Sequence, residues 1–339
     1  MKRVLKILGK FLLGFVILDI VVFVVLYLAT IGTYEVAQTV AQDASLPSIT
    51  LEGVTFHAET FGEASNPVVI VVHGGPGGDY RYLLNLQELS DEFYVVFYDQ
   101  RGSGLSPRVD PSEITLDSSI EDLNRIVEHF GQGRPVNLVG HSWGAMLVTA
   151  YTGRYPDKVD HLVVAEPGFL TNEAYADFQR HFLEPYDLSL MAQATWIWFE
   201  SLHVQGPDEY ARDDYLLGRA AKAWYYSPKN GYNCPGAQPS DDFAWRAGAS
   251  SQEALFNGVR DANGSVDVSI LTEGLENFTG PVLMIVSECN RWVGLEHQRR
   301  YHLGLYSDIE LVVIPNAGHD MFGENPQDSI AAVRDFLGR

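Results

Sequence analysis

Gly140-His141-Ser142-Trp143-Gly144 sets one hydroxyl between two glycines, in the pattern G-x-S-x-G, directly after the apolar run "VNLVG" at 136–140. Glycines at both ends let a chain turn sharply enough to leave the serine exposed and strained at the strand's tip. A serine hydroxyl is a weak nucleophile at its own pKa and needs a base. His319, in "NAGHD" after the last apolar run, is the expected base. Attack by Ser142 on a carbonyl would create an oxyanion. "HGGPGG" at 73–78 follows another apolar run and can bring bare backbone N–H groups close to it. We expect the N–H groups of Gly75 and Trp143 to be the donors, where losing one typically costs about 2.7–4 kcal/mol. A phosphate-binding loop would carry G-x-x-x-x-G-K-[ST], which is absent here. His73 and His141 are expected to orient loops rather than to react.

These groups must be carried by rigid elements. The runs at 67–72, 94–99, 136–140, 161–166, 281–286 and 309–315 are almost continuously apolar. Such runs read as strands covered on both faces, and "ITLEG" with "VTFHAETFG" reads as an opening strand pair. Between them, 118–131 keeps Ile120, Leu123, Ile126, Val127 and Phe130 on one helical face, with Ser118 and Glu121 spaced as a capping box. A closing helix is expected near 327–337. The alternation predicts an α/β fold, a mostly parallel central sheet flanked by helices. Residues 171–265 hold no convincing buried strand and are rich in Trp, Tyr, Asp and Ala, so they read as a helical cap inserted between two strands. The core then divides into 48–170 and 266–339.

The formal net charge is −21 over 339 residues, which argues against nucleic acid as a partner. The positive charges Lys2, Arg3, Lys6 and Lys10 instead flank "FLLGFVILDIVVFVVLYLATI" at 11–31, whose single charge is Asp19. A run of that length spans a bilayer as a helix. It exceeds the usual apolar region of a cleaved leader. Residues 1–31 are therefore expected to be a single-pass membrane anchor with its N-terminus in the cytoplasm and the catalytic body outside it. Residues 32–47 read as a linker. Cys234 and Cys289 are too few for a disulfide framework, although an exported body would let them pair. "NGS" at 263–265 and "NFT" at 277–279 match the glycosylation acceptor pattern.

Taken together, "HGGPGG", "DQRGSGLS" at 99–106, "GHSWG" and the late "GHD" resemble the α/β-hydrolase superfamily, and within it the proline iminopeptidase group of serine peptidases. The resemblance covers roughly 50–170 and 265–339. It implies an α/β-hydrolase fold with a helical cap, a Ser-His-acid triad, no metal and no cofactor, and a small-molecule or short-peptide substrate. In that group an aspartate follows the seventh strand, and here the position is held by Asn290. Glu166, at the end of "HLVVAE", is the favoured acid, with Glu288 and Asn290 as the alternatives. In that group a cap glutamate also binds the substrate's amine, where this chain has Ser227 and Pro228. Glu200, Asp208, Glu209, Asp213, Asp214, Asp241 and Asp242 are the other acids of the cap. The expected activity is hydrolysis of small peptides or amides through an acyl-enzyme. Esterase or lactonase action on small apolar esters is the alternative, and a non-catalytic binding protein is a third.

Overall fold

A computed structural model of the chain describes residues 2–238, 243–259 and 266–339. Among these residues the strands are β1 (Ser48–Leu51), β2 (Val54–Phe61), β3 (Val68–Val72), β4 (Tyr94–Tyr98), β5 (Val136–His141), β6 (Val159–Ala165), β7 (Val282–Ser287) and β8 (Ile309–Ile314). They form one sheet in the order β1-β2-β4-β3-β5-β6-β7-β8. The first two pairings, β1 with β2 and β2 with β4, are antiparallel, and every later pairing is parallel.

The apolar runs explain this sheet. β3, β5 and β7 are buried at every position, as strands with layers on both sides must be. Alternate residues feed different layers. Val68, Ile70 and Val72 join one hydrophobic cluster, and Val69 and Val71 join the other. Burying each such side chain is worth roughly 1.5–3 kcal/mol.

Helix α1 is Lys2–Ala29, and α2 is Leu116–Gly131. The capping box of α2 is formed by Thr115 and Ser118, three residues before the expected pair, because the helix starts a turn earlier. Helix α3 (Trp143–Arg154) is buried from Trp143 to Gly153, since it lies between the sheet and the outer elements. Between β6 and β7 the chain forms α4 (Asn172–Phe182), α5 (Leu188–Ser201), α6 (Ala211–Tyr225) and α7 (Ala249–Gly258). Three more helices follow: α8 (Leu295–Tyr301), α9 (Met321–Glu324) and α10 (Pro326–Leu337).

The stretch 32–47 is fastened to the body rather than standing clear of it. Tyr34 bridges to Val204, Val40 N–H donates to the Leu105 carbonyl at 2.9 Å, and Thr39 is buried. Cys234 and Cys289 form a disulfide with a Cα–Cα distance of 4.9 Å. Asn277 of "NFT" is exposed, whereas the "NGS" at 263–265 and the cap acids Asp241 and Asp242 lie outside the described residues.

Strand register brings the candidate groups to one edge. Val72 pairs with Gly140, His141 with Ala165, and Ala165 with Ile285. The loops that follow β3, β5, β6 and β7 therefore leave the sheet side by side.

Candidate active site

The turn after β5 works as its glycines require. Ser142 has φ 55° and ψ −119°. A Cβ on Gly144 would collide with the Val72 carbonyl, and one on Gly140 would lie 2.5 Å from the Gly144 oxygen. Helix α3 can thus leave the strand tip only if both positions lack side chains. Ser142 N–H donates to the Ala165 carbonyl at 2.8 Å, which fixes the bend. Its hydroxyl makes no hydrogen bond among the described residues. It faces a cavity that His319 also lines. In unliganded sites such nucleophile–base contacts are often long and tighten on substrate binding.

His319 follows β8. Its Nδ1 lies 2.7 Å from Glu166 Oε2, and its backbone N–H donates to the Tyr232 carbonyl at 2.8 Å. The Tyr232 ring stacks on the imidazole at 4.3 Å between centroids. Glu166 is fully buried at the end of β6, with φ 44°. Its Oε1 accepts from the Ser287 N–H and hydroxyl, both at 2.7 Å, and its Oε2 accepts from Asn290 Nδ2 at 2.6 Å. Burial pushes the Glu166 carboxyl up, opposed by these donors, and pushes the His319 imidazole down. With two amide-type donors already fixed on it, the carboxylate is the form of Glu166 that satisfies its neighbours. His319 then carries its proton on Nδ1 and leaves Nε2 able to accept.

The three candidate acids are thereby separated. Glu166 touches His319. Asn290 instead donates to Glu166, and its Nδ2 stands 3.4 Å from His319 Nδ1. Glu288 is exposed and accepts from the Asn316 N–H at 2.8 Å.

Gly75 has φ 131°, and a Cβ there would lie 2.6 Å from Gly78 N, so only glycine fits. Among the described residues the N–H groups of Gly75 and Trp143 have no protein acceptor, whereas that of Gly74 donates to the Tyr82 hydroxyl at 2.8 Å. The loops are tied together through His141. Its Nε2 lies 2.7 Å from the His319 carbonyl, which can only accept, so Nε2 bears the proton. Nδ1 must then accept from the Tyr82 hydroxyl, also at 2.7 Å. Burial holds His141 well below its ordinary pKa, in keeping with this neutral form. His73 ties loops in the same way. Its Nε2 accepts from the Gln100 N–H, and the Gln100 side chain reaches both the His73 carbonyl and the Trp143 indole.

The cavity over Ser142 measures about 450 Å³ and is walled chiefly by aromatic and small side chains, among them Phe178, Phe182, Tyr186, Trp224, Tyr225 and Phe243. Of the other acids of the cap, none that is described lines it. Glu200 takes the Trp196 indole and the Tyr215 hydroxyl. Asp208 and Asp214 pair with Arg246, and Glu209 and Asp213 are exposed. Ser227 is buried against the Pro185 carbonyl. The carboxyls on the wall come from the core instead. Asp79 accepts from the backbone of Arg81, Trp245 and Arg246 and is pushed up to about 7 by burial and by Asp99. Asp320 is pushed up to about 8 by burial.

Sequence reasoning missed Tyr82, Ser287 and Tyr232. Tyr82 lies in a 3₁₀ segment, Arg81–Asp91, and no motif points to it. Ser287 is the last residue of β7, and its donation to Glu166 follows only from the neighbouring strand ends.

Comparison with known proteins agrees with the fold. A curated proline iminopeptidase of Heyndrickxia coagulans is 26% identical over 283 residues, covering 79% of this chain and 90% of that protein. Epoxide hydrolase 3 of Xenopus tropicalis is 34% identical over 301 residues, covering 84% and 75%. Among solved structures, a thermophilic esterase from Thermogutta terrifontis superposes with TM-score 0.60 at 19% identity, covering 86% of this chain and 97% of its own. The proline iminopeptidase of Mycobacterium smegmatis does so with TM-score 0.57 at 19% identity, with the same coverage. The family model described as the alpha/beta hydrolase fold matches residues 67–326, from β3 to the start of α10, and the chain is a member of that family.

Proposed function

We infer that this hydrolase acts through an acyl-enzyme on Ser142. The observation that carries the reading is the 2.7 Å contact between His319 Nδ1 and Glu166, in a cavity His319 shares with the strained serine. Ser142 attacks the substrate carbonyl, and His319 Nε2 takes the hydroxyl proton. Glu166 holds the imidazole in the right tautomer and steadies its cation. The unpaired N–H groups of Gly75 and Trp143 stabilise the oxyanion. His319 returns the proton to the leaving group, and a water then attacks the acyl-enzyme by the same path. No step calls on a metal or cofactor.

The wall chemistry favours apolar acyl groups, and so ester or lactone substrates, over a charged amino terminus. The second reading, an aminopeptidase, is supported by the iminopeptidase relatives and by Asp320 on the wall. Apolar helix Lys10–Ala29, 20 residues long and unburied, supports a membrane anchor with the body outside the cytoplasm. On this reading 1–31 is the anchor, 171–265 the cap, and 48–170 with 266–339 the hydrolase core. Purified full-length protein should be offered p-nitrophenyl esters beside prolyl and alanyl naphthylamides. Ester turnover without arylamide turnover is expected. Arylamide turnover with the higher kcat/KM would move the assignment to the peptidase.

A further inference from the structure

Beyond residue 31, every exposed large hydrophobic side chain among the described residues except Val313 falls between Phe182 and Trp198. Soluble surfaces scatter such residues singly, and a contiguous patch marks an interaction face. On α5, Leu188, Met191, Ala192, Thr195 and Phe199 follow the i, i+3, i+4, i+7, i+11 spacing of one stripe. Leu188 is 86% exposed and Met191 57%, whereas Phe199 at the far end is covered. What covers it is α1: the Phe23 ring packs edge-on against Phe199 at 5.2 Å and against Trp198 at 6.4 Å.

That contact fixes a depth. At 1.5 Å per residue, Lys10–Ala29 measures about 30 Å, the thickness of a bilayer's hydrocarbon core. Phe23 lies about 9 Å short of the end of that helix. A side chain packed on Phe23 is therefore at or within the hydrocarbon boundary. The contacts also have a direction. Phe23 meets Phe199 while Tyr27 meets His203, so α1 and α5 run in the same sense where they touch. Residues of α5 before Trp198 thus lie on the bilayer side of the contact. The ionisable groups of the α4–α5 segment have partners, Asp187 with Lys229 at 3.2 Å, His181 with Glu184 at 2.5 Å and Arg180 with Asp177, which lowers the cost of carrying them beside the bilayer. Trp196 and Trp198 are the residue type enriched at membrane boundaries.

Resting on the anchor assigned above, we propose that the apolar stripe of α5 and the α4–α5 connection are immersed in the outer face of the bilayer beside α1, so that the cavity opens to lipid and receives substrates dissolved there. The cavity itself supplies the link to substrate. Phe182 and Tyr186 form part of its wall, and both are exposed, as are their neighbours in the chain Leu183 and Leu188. A long-chain acyl ester could keep its tail among the lipids while its carbonyl reaches Ser142. The body is strongly acidic, so the contact is apolar rather than a response to anionic lipid.

The test uses the full chain in phosphatidylcholine vesicles. Retention after an alkaline carbonate wash reports on the anchor alone, and loss of retention would sink the anchor rather than the stripe. In retained protein, phospholipids brominated along the acyl chain should quench tryptophan fluorescence, and Trp196→Phe with Trp198→Phe should remove most of that quenching. Leu188→Glu with Met191→Glu should slow turnover of a long-chain ester in the same vesicles by roughly tenfold or more, about 1.4 kcal/mol. Turnover of a water-soluble short-chain ester should be unchanged. Quenching that the tryptophan variants leave intact would overturn the proposal. So would equal loss of both ester activities, or a detergent-solubilised dimer that the glutamate variants dissolve, which would give the stripe to a second copy of this chain.

Discussion

Glu166 owes its place on His319 to donors that crowd it from the β7 side. Because the Ser287 N–H demands an acceptor, Glu166→Gln would turn its amide oxygen toward Ser287 and its NH₂ toward His319 Nδ1. That drives the imidazole proton to Nε2, where it blocks the base. We expect kcat to fall roughly 10³–10⁴-fold with the fold intact by circular dichroism. Glu288→Gln should leave kcat unchanged, since that side chain only accepts from Asn316 N–H. The reverse pattern would reassign the acid. Asp320 bears on stability rather than on the proton path. Its folded pKa is raised from 3.8 to about 8 by burial. Between those values the unfolded chain has lost the proton and the folded chain keeps it, so stability declines as pH rises. Asp320→Asn, which can still accept from Gly323 N–H, should flatten that decline in melting temperature between pH 4 and 8. An unchanged slope would show the group to be better solvated than its burial indicates.

At the scale of elements, the disulfide joins the cap to the loop that carries Asn290. Tyr232, two residues before Cys234, stacks on His319, and Asn290, next to Cys289, donates to Glu166. The bridge thus holds both sides of the histidine. Replacing both cysteines by serine should lower unfolding stability by about 2–4 kcal/mol and reduce turnover. Equal melting curves and equal kcat would show the cap to be held without it. These same elements show what a sequence can declare. The parallel strands announced themselves through apolar runs, unbroken where both faces are buried, as in the "VVIVV" of β3, and interrupted by Glu310 in the half-exposed edge strand β8. The G-x-S-x-G turn was legible because only glycine clears the Val72 and Gly144 carbonyls. The choice among Glu166, Glu288 and Asn290 was not, since it depends on the registers of β6 and β7 at their ends. Tyr82 was illegible for a similar reason: its contact with His141 joins segments distant in sequence.

For the whole molecule, a mostly parallel sheet delivers the loops after β3, β5, β6, β7 and β8 to one edge, helices roof that edge, and an apolar helix at the N-terminus packs on the roof. Charge sets little of this: the net −21 does not build the site. The proposed activity stands or falls on covalent chemistry at a single hydroxyl. Treating the full-length protein with a fluorophosphonate and mapping the adduct by mass spectrometry tests it directly. One equivalent of label is expected on Ser142, lost in His319→Ala. An unlabelled Ser142 in folded protein, or label on another residue, would contradict it.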